Sequence, residues 1–541
     1  MSGYRKDVEY MKKLLTGLLA AVFALSLAGC GEENDLPTEL NTDITFPITD
    51  SDITLTYWTP LNTKVTAFAT SFSDVLCYQE LEKATGIKIE FQHPSVGQEG
   101  EQFNLMMASK SLPDLIYYNW SSVSGGVDLY LEEGTILKLN DYIEDLAPSY
   151  NAILEQYPQA KRETQTDSGD IYMFPFLRTD EKLMFYKGLL IRQDWLDKLG
   201  LETPTTPDEW YTVLKAFKEK DPNGNGIADE LPIVSKKMEA IETLINGFGA
   251  SSDYIVKEGK VVYGPVQPEY KEALLYVNKL YSEGLIDPDF YLTDDNAMDA
   301  KVISNQAGSM YGALTSHMSK YMSMMQKENP NVSIAAVPSL RNSDGKTYIF
   351  NKLLSRCSTG NGTVITKDNK YVAESIKLLD YFYTDEGHML ANFGVIDDTY
   401  EIKDGEPVYT DKILHDPDGN AVGDVLARYV IAPTSGSFLQ DPRYLDQILI
   451  YPEQKDAPAI WSKDVVTDMI LPAVTFTSDE QTDYSAINND ITTYKDEMVN
   501  KFIIGTADLA DFDEYVAAIN SLGLEKALSI QQSAYDRYLS R

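Results

Sequence analysis

The chain has 541 residues, of which 43% are hydrophobic and 11% aromatic, and its formal net charge is −37. That length and apolar content suffice for more than one packed core. A negative field of this size repels a phosphate backbone, which excludes nucleic acid as a partner and otherwise marks a solvated acidic surface.

The amino-terminal residues carry a basic pair, Lys12-Lys13, an apolar stretch from Leu14 to Gly29, and then Cys30. The stretch is shorter than the ~20 apolar residues of a spanning helix, and its small-residue end fits a secretory signal that is cut off. Leu27-Ala28-Gly29-Cys30 resembles the cleavage motif of bacterial lipoprotein signals. The resemblance implies removal of residues 1–29, a lipid on Cys30, and a mature protein anchored to the outer face of the membrane. An uncleaved anchor is the rival reading, and the acidic run from Gly31 to Asp35 speaks against it. Met11 is the expected start, because Asp7 and Glu9 stand where such a signal is basic. Residues 30–52, rich in Asp, Glu, Thr, Asn and Pro, read as a flexible tether.

Ile53 to Trp58 alternates apolar and polar as a strand does, and Val75 to Thr85 is helix-like up to Gly86, before a second strand from Ile87 to Phe91. That order is a βαβ unit of a parallel sheet. A helix over Phe103–Ser109 and a strand over Asp114–Tyr118 continue the α/β pattern. A second region opens near Leu189, with a helix from Gln193 to Leu199 closed by Gly200. Thr206 and Pro207 start another, reaching Phe217, and Tyr270 to Glu283 is a third. The strand Gly362–Thr366 and the helix from Tyr371 to Thr384 repeat the first region's pattern, so the chain is expected to cross back there. Helices over Tyr484–Lys501 and Asp513–Leu522 close the chain. Cys77 and Cys357 are too few for a disulfide scaffold; a single bridge between them is open in an exporting compartment, and two buried free thiols are the favoured reading.

Asp221-Pro-Asn223-Gly-Asn225-Gly226-Ile227-Ala-Asp229-Glu230 sets oxygen-bearing side chains at alternate positions with Gly at the sixth. A hard cation such as Ca²⁺ takes about six to eight oxygens, and the Gly lets the loop turn sharply. Asp221, Asn223 and Asn225, the Ile227 carbonyl, and Asp229 or Glu230 could supply them. Pro232 stands where an EF-hand has its bidentate Glu, so Asp229 or Glu230 must take that part. An Asn-Gly turn without metal is the rival reading. Asp416-Pro-Asp418-Gly-Asn420-Ala421 lacks the sixth Gly and reads as a hairpin turn.

Together the phrases Ser111-Leu-Pro-Asp-Leu-Ile116, Gln193-Asp-Trp-Leu-Asp-Lys-Leu-Gly200, Thr205-Thr-Pro-Asp-Glu-Trp210, Gly284-Leu-Ile-Asp-Pro-Asp-Phe290, Ala307-Gly-Ser-Met-Tyr-Gly312, Leu378-Leu-Asp-Tyr-Phe-Tyr383, Asp513-Glu-Tyr515 and Ala534-Tyr-Asp-Arg-Tyr538 resemble the extracellular solute-binding protein family 1. Within it they are similar to the calcium-containing alginate-oligosaccharide receptors, whose structural calcium phrase is nearly that of residues 221–230. The resemblance implies an α/β fold of two lobes joined by several crossovers, of the type II periplasmic-binding kind, with a ligand cleft between the lobes. Residues 53–180 would form lobe 1, 181–350 the first part of lobe 2, 351–400 the return to lobe 1, and 401–541 lobe 2 with the closing helices. It further implies a monomer that hands its cargo to the permease of an ABC importer.

A sugar site pairs aromatic platforms with polar side chains. In an α/β lobe, ligands lie beyond the carboxyl ends of the strands, which selects Tyr57, Trp58, Tyr118, Asn119 and Trp120. The resemblance adds Arg178 and Tyr311, Trp461 is a further aromatic option, and Trp195 and Trp210 sit on amphipathic helices as core. The expected cargo is a small saccharide, an oligosaccharide by the resemblance. An acidic one would call on bases such as Arg178; a neutral one would not. No metalloprotease, nucleophile-elbow or phosphate-loop motif is present, so no enzyme is expected. A surface glycoside hydrolase or lyase, or a glycan adhesin without transport, is the alternative.

Overall fold

In chain order the strands of the computed structural model are β1 (Ile53–Trp58), β2 (Ile87–Gln92), β3 (Leu115–Asn119), β4 (Phe174–Leu177), β5 (Lys187–Arg192), β6 (Tyr254–Lys257), β7 (Lys260–Tyr263), β8 (Ser309–Ala313), β9 (Ile334–Ala336), β10 (Thr347–Tyr348), β11 (Cys357–Ile365), β12 (Tyr400–Lys403), β13 (Glu406–Tyr409) and β14 (Val465–Val466). The structure describes residues 45–49, 52–350, 354–418 and 420–541. The predicted signal, Cys30 and most of the tether lie outside the described residues. Contacts divide the chain at Thr42, and both sheets belong to the unit Asp43–Arg541. No helix among the described residues is long and apolar enough to cross a membrane.

The alternation read in Ile53–Trp58 becomes a strand that buries Ile53, Leu55 and Tyr57 and exposes Thr54. β1 pairs in parallel with β2 on one side and β3 on the other. β11 runs antiparallel between β3 and β4, which completes a five-stranded sheet in the order β2-β1-β3-β11-β4. The second sheet is smaller, β8-β5-β9, with β5 antiparallel to both neighbours.

The predicted helices are all present. Gln193–Leu199 ends at Gly200, whose φ of 64° is the left-handed conformation that glycine adopts without strain. Pro207–Glu219 opens on a capping box between Thr206 and Glu209 and buries Trp210, Val213, Leu214 and Phe217. Trp195 and Trp210 are core residues, as their amphipathic helices require. Cys77 and Cys357 are buried and free.

Two hydrophobic clusters share no residue. One gathers Trp58, Phe103, Ile116, Trp120 and Val364 around the five-stranded sheet. The other gathers Leu189, Trp195, Trp210, Phe217, Leu274 and Ile286 with Ile491, Phe502, Phe512 and Leu524 of the closing helices. These are the cores of two lobes, and the chain passes between them three times. It leaves lobe 1 after β4, returns before β11, and leaves again near Tyr451.

The last boundary corrects the expectation that 401–541 belongs to lobe 2. Residues 401–449 stay with lobe 1: Leu439 bridges to Leu177, Ile431 N–H donates to the Ala391 carbonyl (3.1 Å), and Tyr409 hydroxyl donates to the Asn392 carbonyl (2.7 Å). Buried Asn392 makes this attachment, donating in turn to the Leu439 carbonyl (2.9 Å). Only with helix Pro452–Ser462, which packs on β9 and β5, does the chain rejoin lobe 2.

A charged cluster also spans the lobes. Asp167 of lobe 1 faces Arg537 and Arg541 on the last helix, Leu524–Ser540, and its end. Asp128, on the lobe 1 helix Gly126–Glu132, has its carboxyl pushed up to about 6, first by burial and then by Asp167, with Arg541 opposing. A carboxyl raised on folding makes stability fall as pH rises from the unfolded value near 4 to about 6, because over that range the folded chain holds a proton the unfolded chain has released. Asp128→Asn is therefore expected to raise the melting temperature at pH 7 and leave it unchanged near pH 4. A drop at pH 7 in a thermal melt would show that the attraction to Arg541 outweighs the burial.

Candidate ligand cleft and metal loop

Because β11 is antiparallel, its first residues lie beside the carboxyl ends of β3 and β4: Asn361 opposes Asn119, and Cys357 opposes Leu177. Asn119 accepts from Ser121 N–H (3.2 Å) and Ser121 Oγ–H (2.7 Å), which caps the short turn Trp120–Ser122. A Cβ on Gly360 would come within 2.8 Å of Ser121 Oγ and 3.2 Å of Asn119 Oδ1, so the close approach of these segments depends on glycine. Asn119, Ser121 and Asn361 thus form a polar group at the strand ends.

Arg178 follows β4, where the chain first leaves lobe 1. Its guanidinium lies over the rings of Phe176 (4.9 Å) and Tyr186 (5.0 Å), and its Nε–H donates to Gln440 Oε1 (3.1 Å). No carboxylate pairs with it among the described residues. On the lobe 2 side, Lys187 opens β5 opposite Ala313 and lies over the same Tyr186 ring, 5.7 Å away. Tyr311, half-buried in β8, opposes Leu189. His317 Nδ1 accepts from Ala313 N–H (3.1 Å), and burial holds its imidazole below the ordinary histidine range. The crossing therefore offers cations, aromatic faces and amides together, the chemistry a polyhydroxylated ligand uses.

Four of the eight ligand residues expected from the sequence sit elsewhere. Tyr57 is 5% exposed and shares a hydrogen bond with Thr363 Oγ1 (2.5 Å). Trp58 is 6% exposed and edges against Phe103 and Tyr118. Trp120 is 1% exposed, with Nε1–H donating to the Gly362 carbonyl (3.1 Å). Trp461 covers Gly188, where a Cβ would collide with its indole, and donates to the Leu189 carbonyl (3.1 Å). Each of these four is a packed core residue, and in Tyr57, Trp120 and Trp461 a buried hydroxyl or backbone carbonyl inside the lobe satisfies the polar atom. Tyr118 keeps partial exposure but stacks on Phe103, with centroids 4.0 Å apart. Ser121, Asn361, Tyr186, Lys187 and Gln440 were not selected from the sequence. Tyr186-Lys187 could have been, since they directly precede the strand that opens lobe 2. An open depression of about 390 Å³ between Thr56, Trp58, Gln92, Gln102 and Pro113 has walls from lobe 1 alone, so lobe movement does not shape it.

In the predicted metal loop, Asp221 accepts from the N–H groups of Gly224 (2.9 Å), Asn225 (3.1 Å) and Gly226 (3.1 Å). Asn223 and Asn225 both turn their amide NH₂ to Asp229 Oδ1, at 3.0 Å each, and Gln306 donates to Asp229 Oδ2 (3.2 Å). Glu230 is 8% exposed and its Oε1 is buried without a partner. Burial, and after it the nearby Asp221 and Asp229, raise the Glu230 carboxyl above its ordinary range. The carboxylates of Asp221, Asp229 and Glu230, the last with a partnerless buried Oε1, lie in one loop with two amides whose oxygens could turn inward, and this oxygen set fits a hard cation. No three His, Cys, Asp or Glu side chains form a metal cage among the described residues, so the amide oxygens and the Ile227 carbonyl would have to complete the shell. In the second Asp-Asn phrase, Asn420 Nδ2 donates to Asp416 Oδ2 at 2.8 Å.

Two α/β lobes with polar groups gathered at their crossings define a hinged ligand-binding protein. A family model of bacterial extracellular solute-binding proteins matches residues 64–389, and the chain belongs to that family. It is 28% identical to the fructooligosaccharide ABC transporter substrate-binding protein FusA of Streptococcus pneumoniae, over 96% of this chain and 97% of that one. It is 29% identical to lipoprotein LipO of Bacillus subtilis, over 81% and 84%. The solved structure of the alginate-binding protein AlgQ2 without calcium ion superposes with a TM-score of 0.72 at 28% identity, covering 90% of this chain and 99% of that one.

Replacing Trp120 with Ala is expected to cost about 3–5 kcal/mol, because it empties a large buried volume and orphans the Gly362 carbonyl. Chemical denaturation measures it, and an unchanged midpoint would place Trp120 outside the core.

Proposed function

We propose that the protein is the extracytoplasmic receptor of an ABC importer, capturing a saccharide between its lobes and delivering it to a membrane permease. The observation that carries this is the seating of Arg178 against Tyr186 and Gln440 where the chain leaves the first of two separately packed lobes, with Asn119 and Asn361 paired at the strand ends of the same sheet. Membership of the extracellular solute-binding family supports it, as do relatives named for fructooligosaccharide and alginate binding. Capture by closure needs no bond-making group, only ligand contacts stronger in the closed state. The protein acts as a binding protein and not an enzyme, works as a monomer, and is held at the membrane by a lipid on Cys30.

A screen of neutral fructooligosaccharides against galacturonate and alginate oligosaccharides, read by thermal shift, tests the reading. At about 100 times its Kd, a bound saccharide adds ~2.7 kcal/mol of stability, a rise of a few degrees. No shift with any saccharide would sink the proposal, and new reducing ends in the same tubes would favour a glycoside hydrolase or lyase.

The 221–230 loop is proposed to hold Ca²⁺ in a structural role, through Asp221, Asn223, Asn225, the Ile227 carbonyl and Asp229 or Glu230. The ion would draw Asp221, Asp229 and Glu230 together against their mutual repulsion. EDTA is expected to lower the melting temperature, Ca²⁺ to restore it, and Asp221→Ala to abolish the response. Identical melts in EDTA and Ca²⁺ would refute the assignment.

A further inference from the structure

We propose that Asp167, clamped between Arg537 and Arg541, is a fixed pivot between the lobes, and that the last helix is the strut that sets their angle. This rests on the reading of the lobes as moving parts, but not on the identity of the cargo.

The contact joins two different cores. Leu524 and Ala527, at the start of the last helix, belong to the lobe 2 cluster, whereas Val127 and Leu131 beside the receiving loop belong to the lobe 1 cluster. From lobe 2, Arg541 donates to the carbonyls of Arg162 (2.9 Å) and Gln165 (2.6 Å), and its Nε–H to Asp167 Oδ1 (3.1 Å). Arg537 reaches Asp167 as well and forks onto Glu480, Nη1 to Oε1 at 2.9 Å and Nη2 to Oε2 at 2.6 Å. Thr475 hydroxyl donates to Asp167 Oδ1 (3.0 Å). Glu480 also accepts from Thr477 N–H (3.0 Å), the cap of helix Ser478–Ile504. One lobe 1 carboxylate therefore holds the start of one lobe 2 helix and the end of another.

Burial makes the contact permanent. The Arg541 side chain is 1% exposed and that of Asp167 is 11% exposed. Parting them would strand a buried guanidinium and a carboxylate together, a greater penalty than the loss of an exposed pair. The same short helix, Pro158–Thr164, carries Glu163, which accepts from Ser355 Oγ (2.7 Å) and Cys357 N–H (2.8 Å) where the chain re-enters lobe 1. Strut and crossing are thus seated on neighbouring turns of lobe 1, and rotation about that line leaves both intact while the strand ends move apart or together.

In a chain carrying Cys30→Ser, spin labels on Glu144→Cys and Glu272→Cys, exposed positions on the two lobes, report the angle by pulsed EPR; the buried thiols of Cys77 and Cys357 stay unlabelled. With no saccharide added, the parent is expected to give one narrow distance distribution. Asp167→Asn and Arg541→Ala are expected to widen it by about twofold or shift its mean by several Å, with circular dichroism unchanged. Thr475→Val, which removes one donor and keeps the shape, is a milder variant that remains informative if the others unfold, and it should move the distribution in the same direction. A distribution unchanged in every folded variant overturns the pivot and leaves the cluster as local packing. A failed saccharide screen with a shifted distribution would instead overturn the cargo and keep the pivot.

Discussion

The first lobe cannot be finished until the chain has built most of the second, because β4 reaches the rest of its sheet only through β11. Between Leu177 and Cys357 lie the whole of β5 to β10 and the helices that cover them. Antiparallel insertion of β11 then does two things at once. It supplies the ladder that joins β3 to β4, and it fixes the point where the chain enters lobe 1 against the carboxyl ends of both strands. Long-range pairing of this kind delays folding, since closing so long a loop precedes any gain from the contacts. In return, the polar strand ends and the interlobe crossing are set by the same hydrogen bonds, so the ligand site and the hinge share one framework.

A second line of backbone bonds runs from the loop at 221–230 to the lobe boundary. Leu231 N–H donates to the Gln306 carbonyl and Gly308 N–H to Leu231, while Val234 N–H reaches Ser309 at the start of β8. Ser309 Oγ, fully buried, returns a bond to the Pro232 carbonyl (2.8 Å). Three residues on from Gly308 is Tyr311, which packs against the lobe 2 core. The acidic loop is therefore tied to β8 through backbone pairing. Lys198 secures the loop's other end, donating to the Asp221 and Pro222 carbonyls.

Helices capped by glycine or a Thr-Glu box, and strands with clean alternation, were legible in the sequence because their causes are local. Gln193–Leu199 and Pro207–Glu219 carry their start and stop signals within a few residues. The rule that ligands gather at carboxyl strand ends selects the end of the sheet where Asn119 stands opposite Asn361. It does not say which way a side chain at that end points. Tyr57 and Trp120 turn inward because Thr363 and the Gly362 carbonyl, some 240 or more residues away, offer partners inside the lobe. Asn361 is invisible for the complementary reason, since only the β11 register sets it opposite Asn119. The stretch 401–449 was misplaced on the same account: its attachment to lobe 1 rests on Asn392 and on the carbonyls of Ala391 and Leu177, none of which has a local signature.

The placement of charge follows from the same economy. Several buried or half-buried cations of this acidic chain are committed to its own carboxylates, Arg192 to Asp194, Arg443 to Asp441 and Arg537 to Asp167 and Glu480. Arg443 and His388 hold the Asp441 carboxyl far below the usual range although burial opposes it, and this pins the returning segment to lobe 1. Arg178 differs, because its neighbours Phe176, Tyr186 and Gln440 are neutral. A guanidinium between two rings, with no carboxylate partner among the described residues, suits an oxygen-rich guest better than an internal ion pair would. The pairs of Arg192 and Arg443 each stay within one lobe, whereas Arg178 stands where the chain first leaves lobe 1, so in the proposed reading contacts with a guest act on lobe angle and not on either core.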